Sequence, residues 1–129
     1  MSDADDCLSG LRVLVVEDEL LIAMDVEKLL RRLGCIALDA VPTIQQALRM
    51  LESELPDFAV LDVNLNGRRV TPVAEALREQ GVPFVLVTGY GSERLHEKVL
   101  QDAPYLRKPV NGKQLASAIT ELLAPQENG

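Results

Sequence analysis

The sequence has 129 residues, of which 47% are hydrophobic and 26% are charged, and its formal net charge is −7. Length and composition fit one globular domain without disulfide or metal staples, and they exclude an intrinsically disordered chain. The acidic balance, with few aromatic residues and no basic stripe, argues against a nucleic-acid partner. Because the apolar runs are too short to span a bilayer and the N-terminus lacks a signal peptide, we expect no membrane partner and a cytoplasmic protein.

Strands and helices are predicted to alternate along the chain, because apolar runs of strand length alternate with apolar residues at helical spacing. In chain order, the predicted elements are strand 12–17, helix 20–33, strand 35–40, helix 44–53, strand 58–62, helix 71–80, strand 83–88, helix 92–101, strand 105–108 and helix 111–123. We expect residues 1–10 and 124–129 to be tails on either side of one domain, 11–123.

Capping and turn residues support these boundaries. Gly34 and Gly81 end the first and third helices, and Asn66-Gly67 is a turn signal. Thr71-Pro72 is typical of an N-cap followed by proline at the first helical position. The remaining cap candidates are Thr43, Ser92 and Asn111. Two cysteines, Cys7 and Cys35, are expected to be reduced thiols, since no secretion signal is seen.

Alternating strands and helices predict an α/β fold with a doubly wound five-stranded parallel sheet. The strand order 2-1-3-4-5 is common at this size. It places a ligand outside the carboxyl ends of the strands, where the strand order reverses.

Polar residues stand at these strand ends. The first strand leads into Glu17-Asp18, the third into Asp62, the fourth into Thr88 and the fifth into Lys108. Two carboxylates about 5 Å apart repel each other by roughly 3 kcal/mol at an effective dielectric constant near 20. One lysine cannot neutralise three of them, so either one pKa is strongly raised or a hard cation such as Mg²⁺ binds. A phosphoryl group could then occupy an open position of the metal, where Asp62 could attack phosphorus.

Four motifs, VLVVEDE, VLDVNLNG, LVTGYG and LRKPV, together resemble the receiver domain of bacterial two-component response regulators. The resemblance covers about residues 11–123 and implies a flavodoxin-like (βα)5 fold. The segment PFVLVTGYG further resembles the Phe-Ala-Thr-Gly-x-Tyr signature of a stand-alone subgroup tied to general stress signalling. It departs from that signature in Leu86-Val87 before the threonine and in Tyr90 directly after Gly89. The loop after Asp62 is short and lacks the usual proline, as in that subgroup.

The resemblance implies that Asp62 is the phosphoacceptor. It also implies that Glu17 and Asp18 organise Mg²⁺ and that Asn64 contributes its backbone carbonyl to the metal. Asn64 could also be merely a turn former.

The remaining motif residues match the family's phosphoryl-reading and switch positions. Thr88 and Lys108 match the hydroxyl and the lysine that read the phosphoryl group. Pro109 matches a proline whose peptide bond with the lysine is usually cis. Tyr105 matches an aromatic residue that changes rotamer when the threonine moves, and a half-buried packing tyrosine is the alternative. Tyr90 either shields the phosphoryl group from water or covers its loop.

The implied function is a phosphorelay signalling module that catalyses only its own phosphorylation and dephosphorylation. A histidine kinase would supply the phosphoryl group, and output would go through contact with a downstream protein or through a phosphotransferase. Two versions stay open, a phosphate sink or shuttle and an adaptor that binds a partner when phosphorylated. The alternative function is a Mg²⁺-dependent phosphatase of the haloacid-dehalogenase type. The spacing after the first strand, Glu-Asp-Glu, does not match that signature.

Overall fold

The structure is a computed structural model that describes residues 8–89 and 98–124. The strands in these residues are β1 Arg12–Val16, β2 Ile36–Ala37, β3 Phe58–Asp62, β4 Asn64–Leu65, β5 Arg68–Arg69, β6 Phe84–Thr88 and β7 Tyr105–Arg107. The helices are α1 Leu20–Arg32, α2 Ile44–Ser53, α3 Thr71–Glu79, α4 Lys98–Gln101 and α5 Gly112–Leu123. In the described residues, no helix has the length and hydropathy to cross a membrane.

The main sheet has five parallel strands in the order β2-β1-β3-β6-β7. This confirms the predicted order 2-1-3-4-5. The register pairs Val16 with Leu61 and Asp62 with Val87, so the carboxyl ends of β1, β3 and β6 lie at one edge. Strands β3 and β6 are buried along their whole length, as expected for central strands covered on both faces.

Helices cover both faces of the sheet. On one face, Leu14 and Leu61 pack in a core with buried residues of α2, α3 and α4. On the other, Val15 and Val60 pack with buried residues of α1 and α5. The two cores hold the strand ends in fixed positions and so fix the edge where the polar residues meet.

The second strand is shorter than predicted. Only Ile36–Ala37 forms β2, instead of residues 35–40. This strand lies at the edge of the sheet and pairs with β1 alone, and the chain rejoins β1 later through a single bridge between Val16 and Val41. Of the other residues predicted for this strand, Leu38 and Ala40 are partly buried and Asp39 is exposed.

Helix α1 exposes some of the apolar residues that predicted it. Its buried face is formed by Ala23, Val26 and Leu30. In contrast, Leu20 and Leu21 are 72% and 76% exposed. The helix is confirmed, but Leu20 and Leu21 in its first turn do not face the core.

The predicted turn at Asn66-Gly67 is the tip of a small hairpin. Strands β4 and β5 pair antiparallel through Asn64 with Arg69 and Leu65 with Arg68. Asn66 has φ 51° and Gly67 has φ 83°. Positive φ at both central residues is the requirement of the type I′ turn that joins two-residue hairpins.

The cap predicted for α3 is wrong by one residue. The N-cap is Val70, whose side chain makes no cap hydrogen bond, and Thr71 is already in the helix, with Pro72 in its first turn. The backbone N–H of Val70 donates instead to the carbonyl of Val63 at 2.9 Å. The caps predicted at Thr43 and Asn111 are confirmed by side-chain hydrogen bonds to backbone N–H groups.

The packed part of the chain begins before the predicted domain start at residue 11. Leu8 is buried in the core beside α1, and the Gly10 N–H donates to the Gly34 carbonyl at 2.8 Å. Cys35, next to this contact, is a buried free thiol, as expected. Cys7, Ser92 and most of the predicted helix 92–101 lie outside the described residues, and so do residues 125–129.

Candidate functional site

Three acidic side chains meet at the carboxyl edge of the sheet. Glu17 and Asp18 follow β1, and Asp62 is the last residue of β3, the neighbouring strand. One carboxylate oxygen from each lies within 4.8 Å of the others. The convergence inferred from the strand ends is therefore present in the structure.

The ammonium group of Lys108 lies among these carboxylates. Its Nζ is 3.0 Å from Oε1 of Glu17 and 3.3 Å from Oδ2 of Asp62. The side chains of Glu17 and Asp62 are almost fully buried, so these are charge pairs shielded from water. Shielded pairs interact more strongly than surface pairs, but each ion also loses its hydration.

Backbone N–H groups hold the second oxygen of each buried carboxylate. Oε2 of Glu17 accepts a hydrogen bond from the N–H of Glu19 at 3.0 Å. Oδ1 of Asp62 accepts one from the N–H of Asn64, in the β4–β5 hairpin, at 3.3 Å. The hairpin therefore helps to orient Asp62, and the start of α1 helps to orient Glu17.

The surroundings of Asp62 make it a weaker acid than an ordinary aspartate side chain. Burial, followed by the negative charge of Glu17, raises the pKa of Asp62 from 3.8 to about 7, although Lys108 opposes the shift. For Lys108, burial alone would lower the pKa. Its hydrogen bond to Glu17 and the charges of Asp62 and Glu17 outweigh burial and raise the pKa of the ammonium group. One lysine thus leaves the carboxylate repulsion only partly compensated.

The donor set fits a hard divalent cation. Three carboxylates supply oxygen ligands, and Asp18 is only partly buried, so one side of the cluster is accessible to water. Mg²⁺ prefers a few carboxylate ligands and keeps several waters. Glu17, Asp18 and Asp62 are therefore the residues that could hold it, and Asn64 lies two residues beyond Asp62.

Thr88 and Lys108 come together through the sheet. Thr88 is the buried last residue of β6, and its carbonyl accepts a hydrogen bond from the Lys108 N–H at 2.9 Å. Both residues therefore lie at the same edge as Asp62. The Lys108-Pro109 peptide bond is cis, as expected from the resemblance.

The two tyrosines differ in what the structure describes. Tyr105 opens β7 and is 55% exposed, so it is more open to solvent than the half-buried packing residue considered above. Tyr90 lies outside the described residues.

The sequence interpretation missed Glu19. Its carboxylate Oε1 lies 3.9 Å from Nζ of Lys108, and its N–H holds Glu17. A third acidic residue directly after Glu17-Asp18 was the available signal. The β4–β5 hairpin was also missed, although Asn-Gly is a strong hairpin signal.

Comparison with known proteins gives the family. The model of the response regulator receiver domain matches residues 13–120. The transcriptional regulatory protein PdtaR of Mycobacterium tuberculosis is 32% identical over 92% of this chain and 58% of its own length. PhyR, the phyllosphere-induced regulator of Methylorubrum extorquens, is 28% identical over 90% of this chain and 45% of its own length. The chain thus spans about half the length of these curated relatives.

A solved structure matches over nearly its whole length. The solution structure of SdrG from Sphingomonas melonis Fr1 is 41% identical, with a TM-score of 0.78 over 89% of this chain and 98% of that chain. The relatives are response regulators, and they give no support to the haloacid-dehalogenase alternative. The chain belongs to the response regulator receiver domain family, whose members are typically signalling rather than catalytic proteins and generally bind Mg²⁺.

Proposed function

We propose that the chain accepts a phosphoryl group on Asp62 from a histidine kinase, in a reaction that depends on Mg²⁺. The observation that carries the proposal is the meeting of three carboxylates and one lysine at the carboxyl edge of the sheet. Its receiver family is phosphorylated by histidine kinases. In the transfer, an oxygen of Asp62 bonds to phosphorus while the bond from phosphorus to the donor nitrogen breaks.

Each side chain has a role that its position supports. Glu17, Asp18 and Asp62, with the carbonyl of Asn64, would hold the cation. When bound, Mg²⁺ neutralises negative charge on the phosphoryl oxygens and on the carboxylates around it. The N–H of Asn64 holds Oδ1 of Asp62, so Oδ2, which Lys108 contacts at 3.3 Å, is the oxygen that would act as the nucleophile.

Lys108 and Thr88 would read the product. The Lys108 ammonium group already contacts Asp62, so it can pair with a phosphoryl oxygen added there. The Thr88 hydroxyl would hydrogen-bond another oxygen. Their movement would pass the signal toward β7 and α5, where Pro109 and the exposed Tyr105 lie, with Tyr90 as a further switch candidate.

Exposed apolar residues close in the chain to the carboxylate cluster support a protein partner. Leu20, Leu21 and Met24 lie on the first two turns of α1, directly after the acidic residues, and all three are exposed. Exposed apolar clusters of this kind mark contact surfaces. We place the histidine kinase on this surface during transfer. No nucleic acid or membrane partner is part of the proposal, and a cytoplasmic location remains part of it.

The stress-response connection rests on a relative. The solved structure of the PhyR stress response regulator is 27% identical, with a TM-score of 0.77 over 94% of this chain and 49% of that chain. We extend that role to this chain, where output proceeds either by contact with a downstream protein or by onward transfer of phosphate to a phosphotransferase.

Labelling with a small phosphodonor tests the proposal. The wild-type chain should gain the mass of one phosphoryl group from acetyl phosphate when Mg²⁺ is present and remain unlabelled when the cation is chelated. Asp62→Ala should not be labelled under either condition. Asp25→Ala, which removes an exposed carboxylate of α1, is the matched control and should be labelled like the wild type. Labelling that persists in Asp62→Ala would remove Asp62 from the proposed role.

A further inference from the structure

Lys108 has a third carboxylate neighbour that lies outside the buried cluster. Glu19 Oε1 is 3.9 Å from the ammonium nitrogen, and the Glu19 side chain is 65% exposed, whereas that of Lys108 is 15% exposed. The ammonium group therefore lies between two buried carboxylates, Glu17 and Asp62, and one exposed carboxylate, Glu19.

The position of Glu19 in the chain explains why its side chain can reach Lys108. Glu19 is the N-cap residue of α1, with extended backbone angles, but its side chain makes no cap hydrogen bond. Its backbone N–H instead donates a hydrogen bond to Oε2 of Glu17. The backbone of Glu19 thus fixes one partner of Lys108, and its carboxylate offers another.

The geometry points to Glu19 as the positioning residue of Lys108, holding the ammonium group beside the carboxylate cluster while a divalent cation enters. The inference rests on the proposed function, in which the carboxylates of Glu17 and Asp62 bind the cation. When they do so, Lys108 loses both of its buried partners and also meets a new positive charge. A largely buried ammonium group without a partner is costly, and among the residues that the structure describes Glu19 is the remaining carboxylate within 4 Å of it.

A first test uses the magnesium-free protein and does not depend on the proposed function. The side-chain ¹⁵Nζ and ¹³Cε resonances of Lys108 should shift in Glu19→Gln. Glu27→Gln removes the same charge from the same helix, about two turns further along, and is the matched control. Its Lys108 resonances should stay at their wild-type positions. Equal shifts in the two variants, or no shift in either, would overturn the inference.

A second test measures Mg²⁺ affinity by calorimetry. The dissociation constant should rise about threefold to fivefold in Glu19→Gln, the scale of a single partly exposed ion pair, and less than about twofold in Glu27→Gln. In a Lys108→Met background, Glu19→Gln should have no more effect than Glu27→Gln. A loss of affinity that persists in the Lys108→Met background would show that Glu19 acts on the cation directly, which overturns its role through Lys108. If the wild-type chain binds no Mg²⁺, the proposed function fails, while the resonance test still decides whether Glu19 positions Lys108.

Discussion

Asp62 is held in an environment that disfavours its own charge. The side chain is buried beside Glu17, and the pKa of Asp62 rises to about 7 because burial and that neighbouring charge outweigh Lys108. Carboxyl groups whose pKa values are shifted by burial and by a nearby charge cluster at functional sites. The environment that raises this pKa also lowers the stability of the folded chain, because near neutral pH part of the Asp62 population is ionised while buried.

This cost predicts that Asp62→Asn is more stable than the wild type by an amount that depends on pH. Because the pKa is raised on folding, the folded state binds the proton more tightly than the unfolded state, so stability falls as pH rises from about 4 to about 7. One pKa unit corresponds to about 1.4 kcal/mol, so magnesium-free Asp62→Asn should exceed the wild type by roughly 2–4 kcal/mol above pH 7 and by little near pH 4. Urea unfolding across this pH range measures the difference.

Asp25→Asn is the control for this series, since it neutralises an exposed carboxylate. Its stability difference from the wild type should stay small and flat with pH. If the stability difference between Asp62→Asn and the wild type is also independent of pH, the buried Asp62 carboxylate does not cost the fold the predicted stability.

At the level of single residues, the sequence predicted the members of the cluster but not all of its contacts. Asp62 and Lys108 could be placed because each follows a strand whose direction and order were inferred. Glu19 could not, because its distance from Lys108 depends on how α1 leaves the strand and on which side chain fills the N-cap. Likewise, Leu8 packs in a core formed by residues distant in the chain, which no local pattern reveals.

Among the elements, the β4–β5 hairpin contributes most directly to the site. It carries Asn64, whose N–H orients Asp62, and it is tied to the core by the buried residues Val63 and Val70. Its turn requires a left-handed backbone at Gly67, with φ 83°. The short loop after Asp62 therefore forms a paired hairpin.

Gly67→Ala should destabilise the chain, because an L-residue in the left-handed region costs about 1–2 kcal/mol. No atom lies within 4 Å of the added Cβ, so the cost comes from the backbone angle and not from a clash. Urea unfolding should show this loss. Arg68→Ala, at the next and exposed residue, is the control and should change stability by less than about 0.5 kcal/mol. If the two variants lose equal stability, the hairpin turn does not have the assigned geometry.

The elements themselves were largely predictable, and the errors follow from tertiary contacts. The helices α2 and α5 were anticipated from their caps and apolar spacing, which act locally. The length of β2 depends on its single neighbour β1, and the exposure of Leu21 depends on what packs over α1. Neither is encoded in the local sequence.

For the whole molecule, the alternation of strands and helices determined the architecture. Parallel strands joined by helical crossovers bring every carboxyl end to the same edge, so residues 17, 62, 88 and 108 meet there without being close in the chain. The net charge of −7 adds to the negative field around this edge. A chain so arranged gains most from a cation at the point where its buried carboxylates meet.

Calorimetric titration with Mg²⁺ in two buffers of different ionisation enthalpy tests this central claim most directly. The wild-type chain should take up one Mg²⁺ at pH 7 and release roughly half a proton. The pKa of Asp62 is about 7, so about half of the Asp62 carboxyl groups carry a proton at this pH, and the cation displaces that proton. Proton release should be nearly absent at pH 9, Asp62→Ala should bind much more weakly, and Asp25→Ala should match the wild type. An absence of Mg²⁺ uptake at pH 7, or uptake by Asp62→Ala equal to that of the wild type, would contradict the account.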